Sequence, residues 1–100
     1  MIYRKFPRGS EETSLLGMGC MRLPRVGDSE SVDFPEAEKL LDYAYSKGIN
    51  YFDTAYVYHG GESENALGMA LKKYPRESYF IADKMPIFII ENKEMVAEIF

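Results

Sequence analysis

Short apolar runs typical of strands alternate with amphipathic runs typical of helices along this 100-residue chain. This alternation constrains the fold more than any other feature. After an N-terminal region, the order of strand and then helix occurs three times. Such an order predicts an α/β fold, with a parallel sheet covered by helices. The strands are apolar at most positions, which favours a sheet buried on both faces. The spacing alone leaves open whether the sheet is doubly wound or part of a closed barrel.

The predicted strands are short. Residues 2–6 and 13–16 predict an N-terminal hairpin, with a turn at residues 7–10 (Pro-Arg-Gly-Ser). The strands of the parallel sheet are predicted at residues 15–18, 49–53 and 79–82.

Each predicted helix begins at a side chain that can accept a backbone hydrogen bond: Asp33, Ser63 and Asn92. Gly48 ends the first helix and Pro75 ends the second. Apolar residues at helical spacing predict the face that each helix turns inward. These residues are Ala37, Leu40, Leu41, Ala44, Tyr45, Leu67, Ala70, Leu71, Tyr74, Met95, Val96 and Ile99.

Composition restricts the class of protein. With 46% hydrophobic and 28% charged residues, residues 1–100 are expected to form part of one globular domain. The net charge of −4 gives no indication of nucleic-acid binding. No apolar run approaches the roughly 18–20 residues of a membrane-spanning helix. One cysteine, Cys20, cannot form an internal disulfide, so we expect a cytoplasmic protein and a small buried thiol. One cysteine and one histidine predict no metal site.

Polar side chains follow the predicted strands where catalytic groups of parallel α/β folds lie. Asp53 and Tyr58 follow the second strand, and Lys84 follows the third. A free tyrosine has a pKa of about 10, and a neighbouring ammonium lowers it toward the range of general acids. A carboxylate would hold that ammonium in place. The three side chains therefore suit protonation of a carbonyl oxygen while a hydride reaches its carbon.

The run GINYFDTA at residues 48–55, followed by Tyr58, resembles the signature of the aldo-keto reductases. Further similarity lies in LGMGCMR at 16–22, SE at 63–64 and FIADK at 80–84. The resemblance implies a (β/α)₈ TIM barrel whose bottom is closed by an N-terminal hairpin. It also implies reduction of a small-molecule carbonyl substrate, an aldehyde or a ketone, with NADPH or NADH.

The resemblance implies roles for individual residues. Tyr58, rather than Tyr56, would be the proton donor, with Asp53 and Lys84 as its partners, and Tyr56 would be a packing residue. The cofactor-binding residues would be Gly19, Cys20, Met21 and Asp53. The sequence is most similar to that of a bacterial branch of the family that often carries a C-terminal iron–sulfur motif. With one cysteine here, such a cluster would require a C-terminal region beyond this chain.

A complete barrel needs about 250 residues. We therefore expect residues 1–100 to be the N-terminal part of a barrel domain: the hairpin and the first three βα units. The remainder of the barrel would be its partner. The family's fourth catalytic residue, a histidine after the fourth strand, and the pocket for the cofactor's 2′-phosphate and adenine would lie beyond Phe100. His59 does not match that histidine and is expected to be a loop or substrate-rim residue.

The alternative to a reductase is a non-catalytic barrel fragment or accessory protein. An open flavodoxin-like sheet would need an anion-binding loop that residues 20–24 do not resemble.

Overall fold

A two-stranded antiparallel hairpin and a three-stranded parallel sheet contain the strands of the computed structural model, which describes residues 1–100. The hairpin is formed by β1 (Tyr3–Lys5) and β2 (Glu12–Ser14), and the sheet by β3 (Met18–Gly19), β4 (Tyr51–Asp53) and β5 (Phe80–Ala82). The helices are α1 (Phe34–Ser46), α2 (Glu62–Leu71) and α3 (Lys93–Ile99). Short 3₁₀ turns lie at Tyr58–Gly61, Arg76–Ser78 and Ile87–Ile89. No helix combines the length and the apolar character needed to cross a membrane.

The parallel sheet follows chain order, β3-β4-β5. In its register Gly19 lies opposite Asp53, and Asp53 lies opposite Ala82. The ends of all three strands therefore meet at one edge. This arrangement confirms the predicted α/β class with a parallel sheet.

The hydrophobic core lies between the sheet and the first two helices. Phe52, Leu41 and Leu67 are essentially inaccessible to solvent and belong to one cluster. On the opposite face of the sheet, Tyr51 and Asp53 are only half-buried. The expectation of burial on both faces is therefore wrong for this chain, because helices cover only the face that presents Phe52.

Local sequence signals predict two of the three helix starts. The Asp33 side chain accepts a hydrogen bond from the Glu36 N–H, and the Asn92 side chain accepts one from the Met95 N–H. The predicted Ser63 cap is wrong. Helix α2 begins at Glu62, after Gly61 with φ of 98°. Ser63 lies inside the first turn, and its hydroxyl is buried in contacts described below.

Several apolar residues are more exposed than their pattern predicts. Leu15 and Leu16 are each 59% exposed. The predicted strand at residues 15–18 is wrong there, because this stretch only connects the hairpin to the two-residue strand β3. Leu40 is also exposed, and so is Val96, which belongs to helix α3, where no residue is buried.

Asn50 fastens the hairpin to the sheet. Its side-chain oxygen accepts a hydrogen bond from the Ser14 N–H at 2.7 Å, and its side-chain nitrogen donates to the Glu12 carbonyl at 3.0 Å. The backbone N–H of Asn50 donates to the Ser14 hydroxyl at 3.1 Å. An edge-to-face contact between Phe6 and Phe80 adds an apolar attachment. The hairpin is thereby held at the end of the sheet opposite the polar strand ends.

Replacement of Asn50 by alanine should lower the free energy of unfolding by about 1–3 kcal/mol, because two docking hydrogen bonds are lost and a Ser14 N–H loses its partner. Urea denaturation would measure the change. Asn65→Ala is the matched control, since Asn65 is exposed on α2. Equal stability of the two variants would contradict this docking role.

Candidate active site

Asp53, Tyr58 and Lys84 meet at the edge formed by the ends of β4 and β5. The Lys84 Nζ lies 2.6 Å from Asp53 Oδ1 and donates to the Thr54 carbonyl at 2.9 Å. The same nitrogen lies over the Tyr58 ring, 5.3 Å from its centroid, within the range of a cation–π contact. The structure thus brings together the carboxylate, the ammonium and the phenol that the sequence predicted as a site.

Lys84 is held in its charged form. Burial opposes the charge of its ammonium, but the hydrogen bond and negative charge of Asp53 and the contact with Tyr58 outweigh it, so the pKa of Lys84 is raised. The side chains of Lys84 and Asp53 are 47% and 40% exposed, so this ion pair contributes at most about 1 kcal/mol to stability. Its main effect is to fix the ammonium beside the tyrosine.

The two tyrosines of this region occupy different positions. Tyr58 is half-buried and opens the 3₁₀ turn, with its N–H donating to the Ala55 carbonyl at 3.2 Å. Tyr56 is more exposed and lines a cavity of about 510 Å³ together with Lys84. Tyr56 was predicted to be a packing residue, and the structure instead places it in a cavity wall.

A buried hydroxyl pair, which sequence reasoning missed, joins three segments below the site. The Ser63 hydroxyl donates to the Cys20 carbonyl at 3.0 Å. Because that bond uses its hydrogen, the Ser63 oxygen must accept from the Thr54 hydroxyl, 2.7 Å away. Both side chains are almost completely buried. Removal of the Ser63 hydroxyl would leave buried polar groups unpaired, at a cost of about 1–3 kcal/mol.

The residues predicted to approach a cofactor lie at the end of β3. Gly19 and Met21 are exposed at the same edge as Asp53, whereas the Cys20 side chain is fully buried. Burial, together with the negative charge of Asp53, raises the pKa of the Cys20 thiol to about 11, against a smaller opposing effect of Lys84. Cys20 is therefore a buried, protonated thiol, and its side chain is turned away from any ligand at this edge.

His59 was expected to be a loop or substrate-rim residue, and it lies in the turn that follows β4, but its side chain is buried. It is only 9% exposed, and both of its ring nitrogens contact backbone atoms of the segment that follows β3. The pattern of charged residues in the sequence does not predict this burial of His59. The signal available in the sequence was the following pair of glycines, which permit a sharp turn that returns the chain beneath that segment.

Glu64 and Asp83 line the same cavity as Tyr56 and Lys84. A hydrogen bond that protonated Glu64 donates to the Asp83 carboxylate, burial and the negative charge of Asp83 raise the pKa of Glu64 to about 7. Between roughly pH 4.5 and 7 the folded protein therefore binds a proton at Glu64 that the unfolded chain has released. As pH rises through this interval, the Glu64–Asp83 pair makes the folded state progressively less stable.

Glu64→Gln should remove this contribution, because the amide cannot ionise. We expect a smaller decrease in melting temperature between pH 5 and 8 than in the unaltered protein, and a melting temperature a few degrees higher at pH 8. Thermal unfolding followed by circular dichroism would measure both. Glu77→Gln serves as the control at an exposed glutamate. An identical pH dependence in the Glu64 variant and the unaltered protein would contradict the coupling.

Comparison with known proteins gives the affiliation of the chain. "Probable aldo-keto reductase 1" of Glycine max is 42% identical over 76 residues, which are 76% of this chain and 22% of that protein. A crystal structure of a thermostable aldo-keto reductase in complex with the inhibitor epalrestat has 35% identity and a TM-score of 0.67, over 83% of this chain and 30% of that one. The chain therefore spans less than a third of the length of either relative.

Neither comparison identifies a bacterial branch or an iron–sulfur motif. The family model described as "Aldo/keto reductase family" matches residues 15–99, which include all the strands of the parallel sheet and the site residues at their ends. The chain belongs to the aldo/keto reductase family, an oxidoreductase family.

Proposed function

We propose that this chain supplies the hairpin and first three βα units of a (β/α)₈ barrel, and that the complete barrel reduces aldehydes or ketones to alcohols with NADPH or NADH. The observation that carries the proposal is the Lys84 ammonium, held 2.6 Å from Asp53 and over the Tyr58 ring. A cytoplasmic location is proposed from the unpaired Cys20.

In the proposed reaction the Tyr58 hydroxyl donates its proton to the carbonyl oxygen of the substrate. The nicotinamide cofactor, when bound, supplies the hydride that reduces the carbonyl carbon. Lys84 stabilises the phenolate that Tyr58 becomes, because its ammonium lies beside the ring. Asp53 holds that ammonium and keeps it charged as the proton leaves the tyrosine. The proton and the hydride together convert the carbonyl to an alcohol.

The residues at this edge fit the nicotinamide half of such a cofactor. A Cβ built on Gly19 would meet no atom within 4 Å, so the end of β3 is open to an approaching ring. Met21 is exposed beside it and offers an apolar surface. Lys84 contacts Oδ1 of Asp53, and Oδ2 can accept a hydrogen bond from a ribose hydroxyl. Cys20 would contribute through its backbone, because its thiol is buried.

The alternative is a non-catalytic, barrel-like accessory protein. For residues 1–100 alone it is favoured by the outer edges of β3 and β5, which have no partner strand, and by the exposed side chains of Ile87 and Phe88. Such surfaces favour association with further strands. The two proposals differ in whether turnover occurs once a complete barrel is present.

Tyr58→Phe in the complete barrel should lower kcat by about 10²–10⁴ while leaving binding of NADPH nearly unchanged, because only the proton donor is lost. NADPH oxidation with a panel of aldehydes, followed at 340 nm, would measure it. Tyr56→Phe is the matched control and should retain near-normal turnover. A loss confined to the Tyr56 variant would assign the proton transfer to Tyr56 and contradict the role of Tyr58.

Residues 1–100 alone should not turn over, because three strands do not enclose the substrate and leave water at the rim. The same assay applied to the isolated chain would check this. Aldehyde reduction at the rate of the complete barrel would contradict the proposal that the remaining strands are needed.

A further inference from the structure

The segment at residues 59–63 holds the loop between β3 and α1 at four backbone atoms. We call residues 20–33 the β3–α1 loop. Within it the Cys20 carbonyl accepts from Ser63, the Leu23 N–H donates to His59, and the Val32 N–H donates to Glu62. His59 also contacts the Glu30 carbonyl. The loop thus lies along the turn that immediately follows Tyr58.

His59 makes the central pair of these contacts. Its Nε2 lies 2.9 Å from the Leu23 nitrogen, and its Nδ1 lies 3.0 Å from the Glu30 oxygen. A backbone N–H can only donate, so Nε2 must accept and carries no proton. Nδ1 must then carry the proton and donate to the Glu30 carbonyl. The two contacts therefore require a neutral imidazole in a single tautomer.

The backbone at His59 is unusual. Its φ of 54° and ψ of 40° place it in the left-handed region, and it is the only non-glycine residue of the chain with positive φ. Asparagine and glycine adopt this conformation more readily than most residues. Histidine is also enriched in this region among non-glycine residues, and the two hydrogen bonds of its side chain offset the remaining steric cost.

Met21 and Arg22 lie between two fixed points. On one side the Cys20 N–H donates to the Asp53 carbonyl at 2.8 Å, and the Cys20 carbonyl accepts from Ser63. On the other side Leu23 is held by His59. Both Met21 and Arg22 are themselves exposed, so these anchors, rather than burial, define where the stretch lies.

We propose that His59 is a positioning residue: by accepting the Leu23 N–H it fixes the exposed stretch at Met21 and Arg22 near the end of β4 at Asp53, where the cofactor's nicotinamide is proposed to bind. The cofactor part of this inference rests on the proposed function. The proposed role requires no contact between His59 and substrate or cofactor. Its effect is preorganisation, because a loop already held in its bound position loses less entropy when a ligand arrives.

Three substitutions separate the contacts of His59. His59→Gln places a side-chain oxygen near the position of Nε2 and can still accept from Leu23. His59→Asn reaches only the position of Nδ1, so it can donate to Glu30 and leaves Leu23 unpaired. His59→Ala removes both contacts. Asparagine suits the left-handed backbone, which offsets part of the cost of the unpaired Leu23 N–H, so the melting temperature of each variant is measured together with its binding.

Amide hydrogen exchange in the 100-residue chain, followed by NMR, tests the anchor directly. The Leu23 amide should exchange about tenfold faster in the Asn and Ala variants, because one hydrogen bond is lost, and near the original rate in the Gln variant. The Cys20 amide, bonded to Asp53, is the internal reference and should change little. An unchanged Leu23 amide in the Asn and Ala variants would overturn the proposal.

Fluorescence titration of the complete barrel with NADPH tests the consequence. The dissociation constant should rise about five- to tenfold in the Asn and Ala variants and recover in the Gln variant. A purely structural role would make the dissociation constant follow the melting temperature of each variant, whether or not Leu23 is anchored. Binding that follows melting temperature and not Leu23 exchange, or unchanged binding in all variants, would overturn the positioning role.

The outcomes distinguish failure of the proposed function from failure of the positioning role of His59. If the unaltered complete barrel binds neither NADPH nor NADH, the reductase proposal and the cofactor part of this inference are contradicted together. Leu23 exchange then still decides whether His59 anchors the loop. If NADPH binds and Tyr58→Phe is inactive but the His59 variants bind normally, the reductase proposal stands and the positioning role is overturned.

Discussion

Parallel pairing at the ends of the three strands is the constraint on which the site depends. The Cys20 N–H donates to the Asp53 carbonyl at 2.8 Å, and the Thr54 N–H donates to the Ala82 carbonyl at 2.9 Å. These bonds set the three strand ends side by side, so the loops that leave neighbouring strands begin about 5 Å apart. Asp53 and Lys84 are 31 residues apart in the sequence, yet they form a 2.6 Å ion pair because of this register.

Buried polar contacts then hold the loops that follow the strands. Ser63 and Thr54 are inaccessible to solvent, and each hydroxyl has a partner. When complete, such a network favours a single arrangement of the buried segments. Loss of one member destabilises the fold, because water cannot replace the missing group. Helix α2 carries Ser63, so packing of that helix against the sheet also determines the path of the chain after β3.

Among the helix starts, those decided by neighbouring residues were predictable from sequence. Asp33 and Asn92 cap helices through hydrogen bonds that span three positions, and the sequence displays such signals directly. Ser63 has the same chemical character, but a partner 43 residues away, Cys20, takes its hydroxyl into the core. No local pattern contains that information.

The candidate site was also predictable only in part, and here strand order decided which part. The grouping of Asp53, Tyr58 and Lys84 followed from strand order, because parallel strands bring their ends together. The burial of His59 did not, since it depends on how the β3–α1 loop returns over the turn, which the spacing of residues does not encode.

Attachment of the hairpin through Asn50 has a consequence for the order of folding. Ser14 and Asn50 are 36 residues apart, so the chain must close a long loop before their hydrogen bonds can form. The hairpin can pair β1 with β2 early through local contacts, but it has no docking site until β4 exists. The N-terminal residues are therefore expected to acquire their final position late, and the Phe80 ring that Phe6 covers stays accessible until they do.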